Sequence, residues 1–304
     1  MKLKGVLGVI RAPFLLLAVV LGFLGASVAW YEHQKYAEPF DLGYAFLAGF
    51  GLLIAHACVN IWNEYFDYRS KVDFRTPRTP FSGGSGALPA GLMTEKQALC
   101  LGIITLAVAA AIGIFFTVAT DILLLPLLIG SGIIIIIYTP IILKMGYPEW
   151  AAGLGLGTLP VIGAYFVHGG EYHASALIAA IPSGILVHNL LLLNEIPDAD
   201  ADKSVGRRTL PIVLGRRNAA IVYSALMIVM YLWIIGAVRW GDMPSFTLLG
   251  LLTLPLGFKA IRGGFQFAEM NKLVPALANN VFVVLLTQLL MGIGFILAGV
   301  FQAG

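Results

Sequence analysis

Charged residues and cysteines are both scarce in this chain. Only 12% of its 304 residues are charged, and it contains two cysteines, Cys58 and Cys100. Two cysteines provide neither a disulfide framework nor a zinc-binding set. Both fall in or beside apolar stretches, which is typical of reduced, buried thiols. With 59% hydrophobic residues and a mean hydropathy of +0.89, the composition excludes an ordinary soluble domain.

Long apolar stretches predict that the chain crosses a membrane several times. A helix needs about 20 apolar residues to cross a bilayer core of about 30 Å. The stretches that meet this requirement are 7–31, 42–66, 96–119, 121–143, 149–168, 173–196, 216–238, 244–263 and 276–302. We therefore predict an all-α integral membrane protein with about nine transmembrane helices and a single domain over residues 1–304. The first stretch lacks a small-residue cleavage signature, so it is expected to be a retained helix.

The distribution of basic residues predicts the orientation. With the N-terminus inside, 17 of the 19 Lys and Arg residues lie on the inner side, and only Lys35 and Arg239 lie outside. Basic residues are enriched in cytoplasmic loops. The expected location is a prokaryotic cytoplasmic membrane, with the N-terminus inside. The net charge of +3 follows from this loop bias and gives no reason to expect a nucleic-acid partner.

Two similar polar clusters lie at the ends of apolar stretches. They consist of Asn63, Asp67 and Asp73, and of Asn194, Asp198 and Asp202. Carboxylates are costly near a bilayer core unless they face a polar cavity, a partner or a metal ion. Mg²⁺ held by a few carboxylates together with a substrate diphosphate would explain both clusters. Solvated loop charge is the less favoured alternative, because the spacing Asn-x3-Asp occurs twice.

Helical geometry predicts how the second cluster is arranged. Residues four positions apart differ by about 40° around a helix, so Asn194, Asp198 and Asp202 share one face within about 80°. Pro197 lies among them and removes a backbone donor. It can therefore open or kink the helix at this point.

The first cluster requires a break in its helix. Asn63 and Asp67 share a face, but Asp73 would point about 240° away from Asp67 on a continuous helix. The helix is therefore predicted to end between Tyr68 and Lys71, so that Asp73 can turn back toward the other two.

Seven cations flank the acidic clusters and are candidates for binding diphosphate oxygens, Arg in bidentate fashion. They are Arg69, Lys71, Arg75, Arg78, Lys203, Arg207 and Arg208. The alternative, that they are positive-inside charges with no ligand, applies to about half of them. The glycine-rich segment from Phe81 to Gly86 is equally consistent with a nest of N–H groups for an anion and with a flexible connector.

These motifs resemble those of the UbiA superfamily of intramembrane prenyltransferases. The first family motif, Asn-Asp-x2-Asp with a further Asp, is matched from Asn63 to Asp67 and by Asp73, with Glu64 in place of the usual Asp. The second, Asp-x3-Asp, is matched from Asp198 to Asp202 and preceded by Asn194. The similarity continues through 138–140, 157–165 and 206–211, and so covers nearly the whole chain. With the Gly-Gly-Ser loop, these segments most resemble the menaquinone-pathway branch, which prenylates 1,4-dihydroxy-2-naphthoate.

The resemblance implies a helical bundle around a central cavity, with cytoplasmic cap loops and a lateral opening to membrane lipid. It implies Mg²⁺ as the cofactor, an allylic prenyl diphosphate as the donor and an electron-rich aromatic acceptor. Loss of diphosphate would leave an allylic cation, which the acceptor attacks.

Roles for individual residues also follow from the resemblance. The implied catalytic residues are Asp67, Asp198, Tyr138 and Arg208, and both motif asparagines would contact metal and substrate. Tyr138 and Tyr165 are candidates for stabilising the cation through their ring faces. Plain packing is the alternative for both tyrosines.

Other functions share some of these features. Family members with another acceptor, namely 4-hydroxybenzoate, homogentisate, haem, chlorophyllide or an archaeal glycerol ether lipid, would use the same chemistry. An ion-coupled transporter is the leading alternative outside enzymes, although transporters place such residues near the bilayer midplane. A CDP-alcohol phosphotransferase is disfavoured because the Asp-Gly element of its motif is absent.

Overall fold

The computed structural model describes residues 3–36 and 40–302, and every regular element in these ranges is helical. Nine of the described helices are long and apolar enough to cross a membrane. They are α1 (Ala12–Tyr36), α2 (Leu42–Ser70), α3 (Glu95–Ala119), α4 (Leu124–Met145), α5 (Glu149–Gly169), α6 (Ala174–Ser204), α7 (Arg216–Trp240), α8 (Ser245–Gly264) and α9 (Met270–Phe301). A short helix, Leu3–Val9, precedes α1. The prediction of an all-α protein with about nine spans is confirmed.

Three helices differ most from the predicted spans. α1 begins at Ala12 rather than residue 7, because Arg11 adopts a left-handed conformation with φ 48° that separates α1 from the preceding short helix. α6 ends at Ser204 rather than residue 196, and the second polar cluster is therefore helical. α9 begins at Met270 rather than residue 276 and contains Pro275.

The core of the bundle forms where α1, α6, α7 and α9 meet. α1 packs closely on both α9 and α5. A Cβ atom at Gly25 of α1 would lie 2.4 Å from the carbonyl oxygen of Val161 in α5, so only glycine permits this approach. A buried hydrogen bond joins α6 to α7, because the side-chain amide of Asn189 donates to the carbonyl oxygen of Tyr223 at 3.0 Å.

Two spans contain a short π-helical segment, at Tyr138–Ile142 in α4 and Leu154–Thr158 in α5. The first contains Pro140, which lacks an N–H group and cannot continue the regular helical ladder. π segments change the direction in which side chains leave a helix and are frequent at functional sites. Tyr138 is buried at the start of its segment.

The helices α2, α4 and α6 finish at the same end of the bundle, which we call the motif end, and α1 and α5 begin there. The segments between α2 and α3 and between α6 and α7 cover it. By contrast, α3 and α4 lie at the edge of the bundle. Only 17% of the most apolar window of each is buried, against 67% for α6. The edge formed by α3 and α4 is thus the most exposed part of the bundle.

Candidate functional site

A polar cavity of about 110 Å³ lies at the motif end. All six residues of the two predicted clusters line it: Asn63, Asp67, Asp73, Asn194, Asp198 and Asp202. The remaining polar lining residues include Arg11, Arg207, Glu195, Tyr138 and Ser82. Segments far apart in sequence are thereby brought to one space, as the paired motifs predicted.

The first cluster is assembled by the end of α2. The helix finishes at Ser70, and Lys71 adopts the left-handed conformation, with φ 61° and ψ 17°. A 3₁₀ turn, Val72–Phe74, then returns Asp73 toward the helix end. The prediction that α2 ends between Tyr68 and Lys71 is confirmed. Asp67 and Asp73 therefore face the same cavity although they are six residues apart.

The second cluster lies on one helix. α6 continues through Pro197 to Ser204, so Asn194, Asp198 and Asp202 occupy successive turns. All three line the polar cavity. The shared face that the spacing predicted is therefore present, and Pro197 does not end the helix.

Arg207 joins the two clusters. Its Nη1 donates to Asp202 Oδ1 at 2.7 Å, and its Nη2 contacts Asp67 Oδ1. The Arg207 side chain is only 11% exposed. Burial opposes its charge, but Asp67 and Asp202 outweigh that effect and raise the pKa of the guanidinium above its ordinary value. Arg207 is thus a permanent cation between the two motifs.

A second arginine enters the cavity from the start of α1. Arg11 Nε donates to Glu64 Oε1 at 2.8 Å, and Arg11 Nη2 donates to Asn63 Oδ1 at 3.4 Å. Burial opposes its charge, but Glu64 and, more weakly, Asp67 outweigh it and raise the pKa of Arg11. Glu64, at the position where the family motif has Asp, therefore fixes a cation rather than facing the cavity itself.

The glycine-rich loop binds protein carboxylates in this structure. The N–H of Gly83 donates to Asp198 Oδ2 at 3.1 Å. The N–H and Oγ of Ser85 donate to the two oxygens of Glu64, each at 2.7 Å. Gly84 packs against Asp73, where a Cβ atom would lie 2.7 Å from Asp73 Oδ1. The loop thus contacts carboxylates of both clusters, Asp198 by a hydrogen bond and Asp73 by packing, and also holds Glu64.

The charge and free oxygens of the cavity fit a divalent cation. Five carboxyl groups and two guanidinium groups line it. Buried side-chain oxygens without a hydrogen-bond partner occur in both clusters, and they include Asp73 Oδ2, Asn194 Oδ1 and Asp198 Oδ1. Hard oxygen ligands of this kind suit Mg²⁺. Burial, reinforced by Asp67 and Glu64, raises the pKa of Asp73 to about 7.

The protein ligands alone do not form a complete metal site. Within residues 3–36 and 40–302, no three His, Cys, Asp or Glu side chains close on one point. Mg²⁺ typically takes one or two carboxylates and completes its shell with water and substrate phosphate. The donor set therefore fits an ion that is bound together with a phosphate-bearing substrate.

A larger apolar cavity of about 470 Å³ continues from the polar one. Arg11, Asn63, Tyr138 and Leu191 line both cavities and mark the junction between them. Along α2 the apolar cavity extends from Asn63 to Ala48, a rise of about 22 Å at 1.5 Å per residue. A polar head at the motif end and an apolar tail inside the bundle can therefore be held at once.

The apolar cavity has an exposed side. Three of its lining residues are exposed, namely Ala110 and Ile114 on α3 and Ile129 on α4. Ile114 is 57% and Ile129 is 52% exposed. All three lie on the two edge helices, so the cavity reaches the surface of the bundle at α3 and α4. We call this exposed side the lateral mouth.

Several candidate substrate-binding residues lie outside both cavities. Arg69, Lys71, Arg75, Arg78, Lys203 and Arg208 are exposed and line neither cavity. Arg75 donates to Ser204 at 3.0 Å, and Arg69 pairs with Glu95 at 3.5 Å. Of the seven flanking cations, Arg207 is the one that enters the polar cavity.

Tyr165 is also separated from the polar cavity. It is buried in the largest core cluster, near Glu32 and Ser175 at the opposite end of the bundle. Its position supports the packing alternative rather than a role beside Tyr138. Tyr138, in contrast, lies at the junction of the two cavities.

Three residues of the cavity region are not predicted from the sequence: Arg11, Glu64 as an anchor for Arg11, and Glu195. Arg11 lies inside the predicted stretch 7–31, where the orientation rule treats it as one of the inner cations. Pro13, two residues later, is a signal that a helix starts here, since proline is favoured in the first turn. Glu195 directly follows Asn194, and only the tertiary structure shows that it faces the cavity.

Comparison with known proteins decides the family. The model of the UbiA prenyltransferase family matches residues 19–269. The chain belongs to the UbiA prenyltransferase family. It is therefore a prenyltransferase of the membrane, which sets aside the transporter alternative.

Relatives of this UbiA chain are named for different acceptors or products. It is 25% identical over 258 residues to the 1,4-dihydroxy-2-naphthoate octaprenyltransferase of Bacillus subtilis, covering 82% of this chain and 80% of that one. It is 27% identical over 232 residues to the digeranylgeranylglyceryl phosphate synthase of Pyrococcus furiosus, covering 73% of each.

Solved structures agree on the fold. A UbiA homologue from Archaeoglobus fulgidus bound to DMAPP and Mg²⁺ superposes with a TM-score of 0.64 at 16% identity, covering 92% of this chain and 98% of that one. The helical bundle is thus that of a known membrane prenyltransferase fold.

Proposed function

We propose that this prenyltransferase uses Mg²⁺ to transfer a prenyl group from an allylic prenyl diphosphate to an electron-rich aromatic acceptor, 1,4-dihydroxy-2-naphthoate. The observation that carries the proposal is the continuity of the two cavities at Arg11, Asn63 and Tyr138. A diphosphate fits the polar side and an isoprenoid the apolar side. The allylic carbon, which joins these two parts of the donor, would then lie at the junction.

The free oxygens of Asp73, Asn194 and Asp198 are the proposed first ligands of Mg²⁺. Asp67 and Asp202 complete the proposed set, and both are held by Arg207 in this structure. When bound, Mg²⁺ would neutralise the diphosphate and stabilise the charge that develops as the allylic C–O bond breaks. Arg11 and Arg207 are the proposed partners of the remaining diphosphate oxygens.

The apolar side of the junction would protect the intermediate. Because the cavity around the prenyl chain is lined mainly by aliphatic side chains, water has little access to an allylic cation there. The ring face of Tyr138 is the proposed group that stabilises the cation. The electron-rich ring of the acceptor would then form the new bond to the allylic carbon and lose a proton from the attacking ring carbon, which restores its aromaticity. Diphosphate keeps the electron pair of the broken C–O bond and stays on the polar side.

The choice of acceptor rests on two supports. The relative from Bacillus subtilis is named for 1,4-dihydroxy-2-naphthoate, and segments 157–165 and 206–211 resemble the menaquinone branch. A hydroxylated aromatic ring is also a suitable nucleophile for an allylic cation. Likeness to a digeranylgeranylglyceryl phosphate synthase makes a glycerol ether lipid the main competing acceptor.

Product analysis tests the proposal. Purified protein in lipid is incubated with Mg²⁺, allylic diphosphates of several lengths and equal concentrations of 1,4-dihydroxy-2-naphthoate, 4-hydroxybenzoate, homogentisate and geranylgeranylglyceryl phosphate. We expect mass spectrometry to show the prenylated naphthoate product, and its loss with EDTA. Preferential prenylation of another acceptor would overturn the naphthoate assignment but not prenyl transfer.

We also propose that the motif end faces the cytoplasm of a prokaryotic cell, as the basic residues suggest. In a variant with Cys58 and Cys100 replaced by Ala, a single cysteine is placed at Pro80 or at Gly169. Both positions are exposed, Pro80 at the motif end and Gly169 at the far end. A membrane-impermeant maleimide added to intact cells should label the cysteine at 169 and spare the one at 80. The reverse labelling would invert the orientation.

A further inference from the structure

Two buried polar side chains without hydrogen-bond partners line the polar cavity, and one of them lies at its junction with the apolar cavity. Glu195 is 5% exposed and Tyr138 is 8% exposed. Neither oxygen of Glu195 has a hydrogen-bond partner, and the same is true of the Tyr138 hydroxyl. Both side chains line the polar cavity, and Tyr138 also lines the apolar one. Buried polar groups are normally satisfied, so unpaired groups at a cavity wall indicate a ligand.

The surroundings of Glu195 account for only part of its bonding capacity. Its carboxyl lies against that of Glu149, which is fully buried and accepts from the N–H of Leu210 at 2.6 Å. Contact with Glu149 engages one oxygen of Glu195. The second oxygen of Glu195 and the Tyr138 hydroxyl would still need partners from the cavity.

Glu195 directly follows Asn194, a proposed Mg²⁺ ligand, and lines the same polar cavity. Along the axis of α6 it lies about 4.5 Å before Asp198 and about 10.5 Å before Asp202, at 1.5 Å per residue. It is therefore further from the motif end than the two aspartates of its cluster. Tyr138 lines the same polar cavity and the apolar one as well, so a ligand group there meets a carboxyl oxygen and a phenolic hydroxyl beside the place proposed for the allylic carbon.

We infer that Glu195 and Tyr138 form a subsite that binds a hydroxyl group of the acceptor. The acceptor hydroxyl donates to Glu195 and accepts from Tyr138, which places the ring carbon next to it against the donor. This inference rests on the proposed function and narrows its substrate class to acceptors with a free O–H beside the reacting carbon. Glu195 acts here as a hydrogen-bond acceptor that selects and orients the ring.

The test compares 1,4-dihydroxy-2-naphthoate with its two mono-O-methyl ethers. In the wild-type protein, kcat/KM should fall for at least one ether by roughly 5- to 150-fold, the factor for leaving a buried acceptor without its partner. In Glu195→Leu, the ratio of kcat/KM for the naphthoate to kcat/KM for that ether should fall below about 3. The matched control is Asp200→Leu, on the same helix but 86% exposed at its side chain, which should keep the preference.

Two further measurements separate this subsite from the metal and donor sites. The Mg²⁺ concentration for half-maximal activity and the donor KM should stay unchanged in Glu195→Leu. A preference that persists in Glu195→Leu, or a large rise in either of these two values, would overturn the inference.

A binding measurement covers the case in which Glu195→Leu fails to fold or turn over. Calorimetry without donor compares binding of 1,4-dihydroxy-2-naphthoate to wild type, Glu195→Met, which has a similar length but no acceptor oxygen, and Tyr138→Phe. Weaker binding of the naphthoate with unchanged binding of the affected ether supports the subsite, and equal losses for both compounds contradict it. Absence of any prenylated product from wild type would instead count against the proposed function itself.

Discussion

The two halves of the polar cavity present the same kinds of side chain on different backbones. The second half is a straight run on α6, from Asn194 to Asp202. The first half crosses the end of α2, and its last carboxylate, Asp73, is delivered by a left-handed residue and a 3₁₀ turn. Equivalent chemistry therefore depends on helix continuation in one half and on helix termination in the other.

This difference indicates which half is more sensitive to the backbone. On α6, the hydrogen-bond ladder of the helix fixes the spacing of the three side chains. In the first half, the position of Asp73 depends on the conformation of Lys71 and on the packing of Gly84 against its carboxylate. We therefore expect loss of a carboxylate to lower activity equally in either half, and a backbone change to lower it more in the first half.

Removing a central carboxylate from either half should have the largest effect. We expect Asp67→Ala and Asp198→Ala each to lower kcat by about 10²- to 10³-fold, the range seen when one transition-state electrostatic contact is lost. Asp200→Ala, an exposed carboxylate of α6, should stay near wild type. The measurement is initial rate with saturating donor and Mg²⁺. Near wild-type turnover in only one of the two variants would show that the halves are unequal in chemistry.

Changing the residue that ends α2 should have the next largest effect. Any residue with a Cβ pays about 1–2 kcal/mol in the left-handed conformation, and a β-branched side chain fits it less well still. Lys71→Ile should therefore displace Asp73 and weaken Mg²⁺ activation by roughly fivefold, which corresponds to about 1 kcal/mol of added strain. Lys71→Gly also removes the charge but accepts φ 61°, and it should stay within about twofold of wild type. Similar losses in both variants would assign the effect to the charge of Lys71 instead.

The pH dependence of metal binding should depend on Asp73. Because the pKa of Asp73 is raised to about 7, its carboxyl is largely protonated at pH 6 and ionised at pH 8. Metal binding requires the ionised form, so Mg²⁺ affinity should fall up to about tenfold as pH drops from 8 to 6. Asp73→Asn should make this dependence less steep between pH 6 and 8, and the part that remains would come from the carboxylates of the second cluster. The measurement is Mg²⁺ titration by calorimetry in the presence of a non-hydrolysable donor analogue.

Replacing Pro197 in the second half should have the smallest effect on activity. Pro197 lies within α6 without ending it, and Ala at this position would restore the missing N–H group. We expect Pro197→Ala to change kcat/KM by less than about twofold and to raise the thermal unfolding temperature slightly. A large loss of activity would show that a proline-dependent distortion of α6 positions the second cluster.

Much of this architecture follows from local sequence patterns. Apolar length predicted the spans, and a spacing of four residues predicted the face shared by Asn194, Asp198 and Asp202. The position of Asp73 predicted where α2 ends. Each of these inferences uses geometry within one element, and each is confirmed by the helices observed.

The remaining features depend on contacts between distant segments. Arg207 and Arg208 are adjacent in sequence, yet Arg207 bridges the motifs and Arg208 is exposed. Tyr138 and Tyr165 are both aromatic residues in apolar helices, and only the packing of α5 against α1 shows that Tyr165 belongs to the core. The ion pair of Arg11 with Glu64 joins residues 53 positions apart, a distance over which no periodicity operates.

The lateral mouth at α3 and α4 determines which concentration of a lipid substrate sets the reaction rate. A long-chain lipid that enters there arrives by diffusion within the bilayer, so its supply is set by its number per lipid molecule and not by its amount per litre of buffer. Diluting a suspension of loaded vesicles would leave that supply unchanged, whereas adding lipid that carries no donor would reduce it. Measurements in detergent would likewise scale with the micelle composition, and Michaelis constants for such a substrate become mole fractions.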